Sequence, residues 1–303
     1  MSQANASLGS ISPEVQEIVD RIPLFANAPT LSVAPLEGII SLNNANYRVN
    51  VGETSYLLRV GAESARYLGI RREEEIESAY SAAKAGVAPA VLYAEPCGVM
   101  VSPFIEGKHW EAEAFHKPAN IVRIADTLRR LHAVKDVAAQ GSEYRRIDRL
   151  IESAVSLGLT LPPNIGALCE KLARIEQERL SDPCYVAGLA HNDFWANNFL
   201  DDGEDLYLVD WEFSGTGDTL TDLATTSMAG GLSLEEQVLL LDAYGLDGRN
   251  SLEVLETMRW VVSFFEAMWA LVMDGLRGSG SDTSGKDGAY NYANHAQKMF
   301  ERL

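Results

Sequence analysis

The stretch from His191 to Glu212 constrains this chain more than any other. It contains two apolar runs that are typical of short β-strands, and an acidic turn connects them. Two carboxylates and an amide this close in sequence can hold a metal ion and orient a hydroxyl group, as phosphoryl transfer requires. The stretch therefore predicts a site for chemistry rather than a piece of core. Its polar candidates lie where each run begins or ends, namely His191, Asp193, Asn198 and Asp210.

The bulk composition suits a globular enzyme with a cationic substrate. The chain has 303 residues, of which 47% are hydrophobic, and domains usually contain about 100–200 residues. Acidic residues outnumber basic residues by 43 to 25, which gives a formal net charge of −18. Nucleic acids and anionic membranes bind basic patches, and no apolar run approaches the ~18 residues of a membrane span. We therefore expect no nucleic-acid partner and no membrane insertion.

The cysteines and the N-terminus favour a cytoplasmic protein. Cys97, Cys169 and Cys184 are far apart and show no C-x-x-C spacing. They predict neither a disulfide framework nor a thiolate zinc site. The first ten residues are polar, and they lack the basic and then apolar pattern of a secretory signal.

Hydrophobic periodicity predicts a β-rich part followed by a helical part. We predict a β-hairpin over 47–51 and 55–60, strands over 91–93 and 98–105, and helices over 13–22 and 71–85. Residues 41–46 are predicted to form a turn whose N–H groups could face phosphate. Beyond 106–107, most segments show a helical period, so we predict an α+β chain divided into 1–105 and 106–303. These helical segments are 121–134, 147–157, 165–180, 234–244, 252–276 and 289–303.

The polar residues of the opening stretch can be given roles in phosphoryl transfer. Asp193 is the candidate that orients or deprotonates the acceptor hydroxyl. Oxygen atoms of Asn198 and Asp210 suit a hard ion such as Mg²⁺ better than zinc. His191 is expected to brace the loop by hydrogen bonding. Asp218 and Asp222 are predicted to be structural, as turn or helix-capping residues, and His132 receives no chemical role.

The same residues resemble the catalytic loop and metal motif of the choline kinase and aminoglycoside phosphotransferase superfamily. The resemblance is to choline/ethanolamine kinases in particular, and it implies a protein-kinase-like two-lobe fold with a small β-rich N-terminal lobe and a larger helical lobe. It also implies ATP and Mg²⁺ as cofactors and a small cationic alcohol as the acceptor. Matching segments follow in family order over most of the chain, at 46–49, 57–60, 72–75, 85–89, 104–107, 128–132, 191–198, 210–212 and 217–224.

On the nucleotide side, the resemblance implies that Arg59 replaces the strand lysine of protein kinases and grips the phosphates. Arg keeps the positive charge and offers a planar fork. Glu75 would pair with Arg59, the 41–46 segment would cover the phosphates, and the backbone of the strand ending at 105 would bind adenine. The further candidates for this nucleotide site are Ser41, Asn43, Asn44, Asn46, Ser102, Phe104 and Ile105.

On the acceptor side, the resemblance implies aromatic side chains around a quaternary ammonium. Such cation–π contacts contribute up to about 2 kcal/mol or more when desolvated. Glu266 stands where choline kinases carry one of their tryptophans, and a carboxylate there could also hold a cation. The predicted acceptor residues are Glu212, Glu266, Trp269, Tyr290 and Tyr292.

Several alternatives remain open from the sequence. Aromatic residues at helical spacing, such as Trp260 and Trp269, are more often core than ligand site. The acceptor could be choline, ethanolamine, thiamine or an aminoglycoside. A nucleotide-binding pseudokinase is a rival from another class, although the joint presence of Asp193, Asn198 and Asp210 argues against lost chemistry. A metal-dependent hydrolase would need a second histidine cluster, which the sequence does not show.

Overall fold

The computed structural model describes residues 11–303, except 27, 29, 37–43, 136, 138, 140–141 and 278–290. The largest sheet lies in the first third of the described chain, and helices dominate the remainder. The predicted α+β class is therefore confirmed.

The N-terminal part is built on an antiparallel sheet of five strands. In chain order, its elements are α1 (Pro13–Arg21), β1 (Leu31–Pro35), β2 (Asn44–Val51), β3 (Thr54–Gly61), α2 (Arg72–Lys84), β4 (Tyr93–Ala94) and β5 (Met100–Pro103). The strands lie in the order β1-β2-β3-β5-β4. Helix α1 begins where predicted, because the Ser12 hydroxyl accepts a hydrogen bond from the backbone of Val15 and Pro13 stands in the first turn.

The predicted hairpin is present, but its first strand is longer than predicted. The ladder between β2 and β3 pairs Asn44 with Gly61 and Asn46 with Arg59. The prediction that Asn44 and Asn46 belong to a turn is therefore wrong. Ladder hydrogen bonds join backbone groups, so pairing can continue past the apolar alternation that marks a strand in sequence. The rest of the predicted turn, including Ser41 and Asn43, lies outside the described residues.

The C-terminal part is mostly helical and carries two small antiparallel sheets. Its helices are α3 (Pro118–His132), α4 (Glu143–Ser156), α5 (Ile165–Ser181), α6 (Leu220–Ala229), α7 (Leu234–Tyr244), α8 (Leu252–Arg277) and α9 (Tyr292–Phe300). Its strands are β6 (Lys108–His109), β7 (Ala187–Ala190), β8 (Phe199–Asp201), β9 (Leu206–Leu208) and β10 (Gly215–Asp218). Strand β7 pairs with β10, and β8 lies between β6 and β9.

Two differences from the predicted helices have clear physical causes. Helix α4 begins four residues earlier than predicted, where the Ser142 hydroxyl accepts a hydrogen bond from the backbone of Arg145. Helix α6 was not predicted, because every residue from Leu220 to Ser227 is buried and the segment has no polar face. The segment predicted as a helix over 289–303 contains α9, and its first residues lie outside the described part.

The hydrophobic side chains form two cores. The smaller core joins α1 to the five-stranded sheet through residues such as Val19, Val49 and Leu58. The larger core includes Ala79 and Ala82 of α2 together with the C-terminal helices. Packing therefore does not divide the chain at 105/106, and that boundary stays a prediction. Within the described ranges, no helix is both long and apolar enough to cross a membrane.

Candidate active site

The loop after β7 carries the predicted catalytic carboxylate. Asp193 is half-buried, and its Oδ2 accepts a 2.7 Å hydrogen bond from Nδ2 of Asn198. The same Nδ2 also donates to the backbone carbonyl of Asp193 at 2.8 Å. Asn198 therefore fixes the orientation of the Asp193 carboxylate, and its own Oδ1 accepts a 3.3 Å hydrogen bond from Nδ2 of Asn197.

His191 lies at the start of this loop and is fully buried. Its Nε2–H donates to the carbonyl oxygen of Val209 at 3.1 Å, which ties the loop to the segment before Asp210. The imidazole packs edge-on against Trp211 and Phe194. Burial lowers the pKa of His191 to about 4, so the ring is neutral near pH 7. This geometry is what a bracing role requires, and that role stays a prediction.

The loop that carries Asp193 is anchored by a carboxylate that the sequence did not indicate as part of the site. Asp222 in α6 is fully buried. Its oxygens accept hydrogen bonds from the backbone N–H groups of His191 at 2.9 Å and of Asn192 at 2.6 Å. Nε2 of His132 also contacts Asp222 at 3.0 Å, and the Nδ1 of that histidine lies 2.8 Å from the hydroxyl of Tyr244. Asp222 is therefore structural, as predicted, but it supports the catalytic loop rather than its own helix.

The backbone conformation of the loop explains why it needs this support. Asn192 has a φ of 65°, in the left-handed region, where residues other than glycine are strained. Its side chain donates to the carbonyl oxygens of Ala190 and Phe213. Gly188 lets β7 approach the end of α3, because a Cβ there would lie 2.7 Å from the carbonyl oxygen of His132. The only sequence signal for this arrangement is an Asp placed in an otherwise uncharged, buried helix.

The second half of the site is a cluster of three carboxylates. Oxygens of Glu75, Asp210 and Glu212 lie within 4.8 Å of one another. Asp210 has a φ of 67°, so its strained backbone aims the side chain into the cluster rather than along a strand. Burial raises the pKa of Asp210 despite the nearby positive charge of Arg59. A bound cation would relieve this excess of negative charge, and the oxygen donors fit Mg²⁺.

Arginine side chains balance the negative charge of the cluster. The predicted ion pair between Arg59 and Glu75 is present, and Nη1 of Arg59 lies 3.2 Å from Oδ1 of Asp210. Burial opposes the charge of Arg59, but the carboxylates of Glu75 and Asp210 outweigh it and hold the pKa of the guanidinium above its usual value. Arg72 forms a second bond to Glu75 at 2.8 Å.

Glu212 lies in this cluster, although the sequence placed it with the acceptor. Its Oε2 accepts a 3.0 Å hydrogen bond from Nδ2 of Asn44, which also reaches Asp210 at 3.4 Å. The negative charge of Glu212 also raises the pKa of Asp193, so Glu212 interacts electrostatically with the predicted catalytic carboxylate. Contact with the acceptor therefore stays a prediction for Glu212.

The predicted hinge is only partly available to a nucleotide base. Ser102 lies in β5 opposite Leu57, whereas Phe104 and Ile105 follow the strand. The backbone N–H of Phe104 donates to the carbonyl oxygen of Ser55 at 3.0 Å, so it is already used within the sheet. The guanidinium of Arg48 stacks 4.1 Å from the Phe104 ring. A hydrogen bond from this segment to adenine must therefore come from groups other than the Phe104 N–H.

The predicted acceptor residues of α8 and α9 are brought together. Trp269 and Tyr292 meet edge to face, with ring centroids 5.7 Å apart. Glu266, one turn before Trp269, is buried and lies 3.4 Å from Nε2 of His295. Trp260 is not part of this group, because its indole contacts the C-terminal carbonyl of Leu303. Tyr290 lies outside the described residues.

Glu266 and the catalytic carboxylate influence each other electrostatically. Burial raises the pKa of Asp193 to about 8, and the negative charges of Glu266 and Glu212 add to this effect. Asp193 is therefore within electrostatic range both of Glu212, a member of the three-carboxylate cluster, and of Glu266.

Comparisons with known proteins agree with this geometry. Residues 37–259 match the model of the phosphotransferase enzyme family, APH. Protein LicA of Haemophilus influenzae is 26% identical over 219 residues, which cover 69% of this chain and 62% of that protein. The chain thus spans less than two thirds of the length of this relative.

Solved structures show the same architecture over nearly the whole chain. A choline/ethanolamine kinase family protein from Mesorhizobium loti has a TM-score of 0.71 at 25% identity, covering 95% of this chain and 92% of its own. Choline kinase LicA from Streptococcus pneumoniae has a TM-score of 0.73 at 19% identity, covering 95% and 98%. These likenesses confirm the predicted protein-kinase-like fold. Since the family model covers more than half of the sequence, the chain belongs to the APH phosphotransferase enzyme family.

Proposed function

We propose that this chain is an ATP-dependent kinase that phosphorylates the hydroxyl group of choline or a closely related amino alcohol. The observation that carries the proposal is the position of Asp193. Asp193 interacts electrostatically both with Glu212, a member of a carboxylate cluster whose oxygens suit Mg²⁺, and with the buried Glu266, which shares helix α8 with Trp269. A phosphoryl donor and a cationic alcohol would meet at this residue.

On the donor side, Asp210 and Asn198 would hold Mg²⁺, and Glu212 is placed to support them. When bound, the ion neutralises charge on the nucleotide phosphates. Arg59 is held by Glu75 and contributes a fixed positive charge beside Asp210. Phosphoryl transfer needs such positioning and charge neutralisation more than covalent chemistry from the protein.

At the centre, Asp193 accepts the proton of the acceptor hydroxyl. Asn198 holds the carboxylate by a hydrogen bond to Oδ2, so the oxygen that meets the hydroxyl keeps one orientation. A general base works best when its pKa lies near the working pH. The pKa of about 8 for Asp193 meets this condition in the chain before any cation binds.

On the acceptor side, Glu266 supplies the counter-charge for one ammonium group. Trp269, one turn further along α8, offers an aromatic ring, and a cation–π contact contributes about 0.5–2 kcal/mol. The Tyr292 ring contacts Trp269 and already has the guanidinium of Arg277 at 5.1 Å. The net charge of −18 attracts cations to the whole surface. The similarity to LicA and to the Mesorhizobium loti protein supports choline and ethanolamine as the first acceptors to test.

A second candidate function is phosphorylation of a polycationic alcohol such as an aminoglycoside. It is favoured by one observation, a further buried carboxylate, Glu143, which acts electrostatically on the same region as Glu266. Two carboxylates could hold two ammonium groups. Glu143, however, is already paired with Arg146, so choline or ethanolamine remains the better match.

ADP release measured with ATP, Mg²⁺ and a panel of acceptors tests the proposal. The panel contains choline, ethanolamine, thiamine and an aminoglycoside. We expect release well above the acceptor-free rate with choline or ethanolamine, and loss of that stimulation in Asp193→Asn. No stimulation by any acceptor, with nucleotide still bound, would instead indicate a pseudokinase.

A further inference from the structure

Helix α4 carries a buried ion pair in its first turn. Glu143 and Arg146 are only 4% and 3% exposed, and they are bonded to each other across three residues of the helix. Burying two charges is costly, so a buried pair is weak support for stability alone. In a chain that places most of its charges on the surface, this pair calls for another explanation.

The pair lies beside the acceptor side of the site. The guanidinium carbon of Arg146 is 5.6 Å from the ring of Phe265, the residue next to Glu266. The Phe265 ring is in turn 5.4 Å from that of Phe213, which follows the metal motif. These contacts place α4 against the same part of α8 that supplies Glu266.

The electrostatic couplings support this placement. Burial raises the pKa of Glu143 to about 7, Arg146 opposes the rise, and Glu266 adds to it. The positive charge of Arg146 also lowers the pKa of Asp193. Glu143, Arg146, Glu266 and Asp193 therefore share one region of low dielectric, where charges interact strongly.

Glu143 is the hydrogen-bonding partner of the Arg146 guanidinium. Only its Nη2 is bonded to Glu143, and its Nε and Nη1 have no hydrogen-bond partner among the residues that the structure describes. Glu143 is thus the one carboxylate to which the guanidinium is bonded in the described part of the chain.

We propose that Arg146 is a specificity-determining residue, which neutralises Glu143 so that the acceptor pocket accommodates one positive charge rather than two. Glu266 is then the single carboxylate left for an ammonium group, because Asp193 serves the hydroxyl. This inference rests on the proposed function. It explains how a site that has two buried glutamates in electrostatic contact selects a monocation.

The test compares a monocationic and a dicationic acceptor of similar size, ethanolamine and diaminopropanol, in four proteins. These are the wild type, Arg146→Met, Glu143→Gln and the double variant Glu143→Gln/Arg146→Met. The KM of each acceptor is measured by ADP release at a pH well above 7, because the pKa of Glu143 is about 7.

The expected result follows the net charge of the pair. Arg146→Met adds one negative charge and should shift the KM ratio about tenfold toward the dication. Glu143→Gln leaves an uncompensated positive charge and should raise the KM of ethanolamine about tenfold. The double variant restores the net charge, and its KM ratio should return to within about threefold of the wild type. The changes should lie in KM more than in kcat.

Other outcomes overturn the inference. A purely structural pair would change both KM values in the same direction in either single variant. If a single variant fails to fold, the double variant still decides, because a changed KM ratio at unchanged net charge contradicts the proposal. A wild type without acceptor-stimulated ADP release would refute the proposed function instead, so the two failures are distinguishable.

Discussion

Replacing Asp222 by Asn should damage both stability and catalysis, although Asp222 does not line the site. In the wild type, the carboxylate accepts hydrogen bonds from the backbone of His191, the backbone of Asn192 and the ring of His132. An asparagine keeps one acceptor oxygen and places an NH₂ group against at least one N–H donor. Bonds to a charged group contribute about 1.5–3 kcal/mol each. We therefore expect Asp222→Asn to lower the free energy of unfolding by about 3–5 kcal/mol.

The same substitution should lower kcat about 100-fold in molecules that are still folded. The two backbone N–H groups belong to His191 and to the strained Asn192, directly before Asp193. Without their acceptor, the loop can relax, and a shift of about 1 Å in a catalytic group can cost about 100-fold in rate. Urea denaturation followed by circular dichroism measures the first effect. ADP release at a low temperature, where the variant remains folded, measures the second.

Asp218→Asn is the matched control. Asp218 is also buried at the same end of α6 and accepts hydrogen bonds from Arg179, at 2.7 Å to Nε. None of its hydrogen bonds among the described residues reaches the catalytic loop. We expect a similar loss of stability and a kcat within about threefold of the wild type. An unchanged kcat in Asp222→Asn, or an equal loss in Asp218→Asn, would refute the anchoring role.

Three further predictions follow from the site. Asp193→Ala should abolish turnover and leave Mg-ADP binding largely intact in calorimetric titrations. Asp210→Ala should abolish turnover and also weaken Mg-ADP binding. An equal loss of Mg-ADP binding in both variants would contradict the assigned roles. Trp269→Leu should raise the KM of choline about tenfold with a smaller change in kcat, since it removes a cation–π contact; an unchanged KM would place Trp269 in the core. Burial lowers the pKa of His191 from 6.5 to about 4. The neutral ring therefore stabilises the fold above pH 6.5, and this contribution, on the order of 3 kcal/mol, is lost as the pH falls toward 4. Urea denaturation should show a weaker dependence of the free energy of unfolding on pH in His191→Gln, and an unchanged dependence would contradict the prediction.

The sequence was sufficient to predict the candidate site residues that are close to one another along the chain. His191, Asp193, Asn198 and Asp210 fall within twenty residues, and hydrogen bonds link Asn198 to Asp193 and His191 to the residue before Asp210. The Arg59–Glu75 pair could be predicted as well, but only through resemblance, because no local pattern links a strand residue to a helix residue.

The features that the sequence did not predict depend on contacts between segments that are far apart along the chain. Asp222 lies about thirty residues beyond the loop it supports, and His132 lies on a different helix. Glu143 and Arg146 resemble an exposed pair at helical spacing, and only the packing of α4 against α8 shows that they are buried. Asn44 was predicted in a turn, yet sheet pairing carries it to Glu212. Such features follow from tertiary packing, which no window of sequence contains.

The central claim is that Asp193 lies between a phosphoryl donor and a cationic alcohol. Phosphorus NMR of a mixture of the protein, Mg-ATP and choline tests it most directly. We expect a growing phosphomonoester resonance of phosphocholine together with ADP, and neither product with Asp193→Ala. Release of inorganic phosphate without phosphocholine, or phosphocholine formation by Asp193→Ala at the wild-type rate, would contradict it.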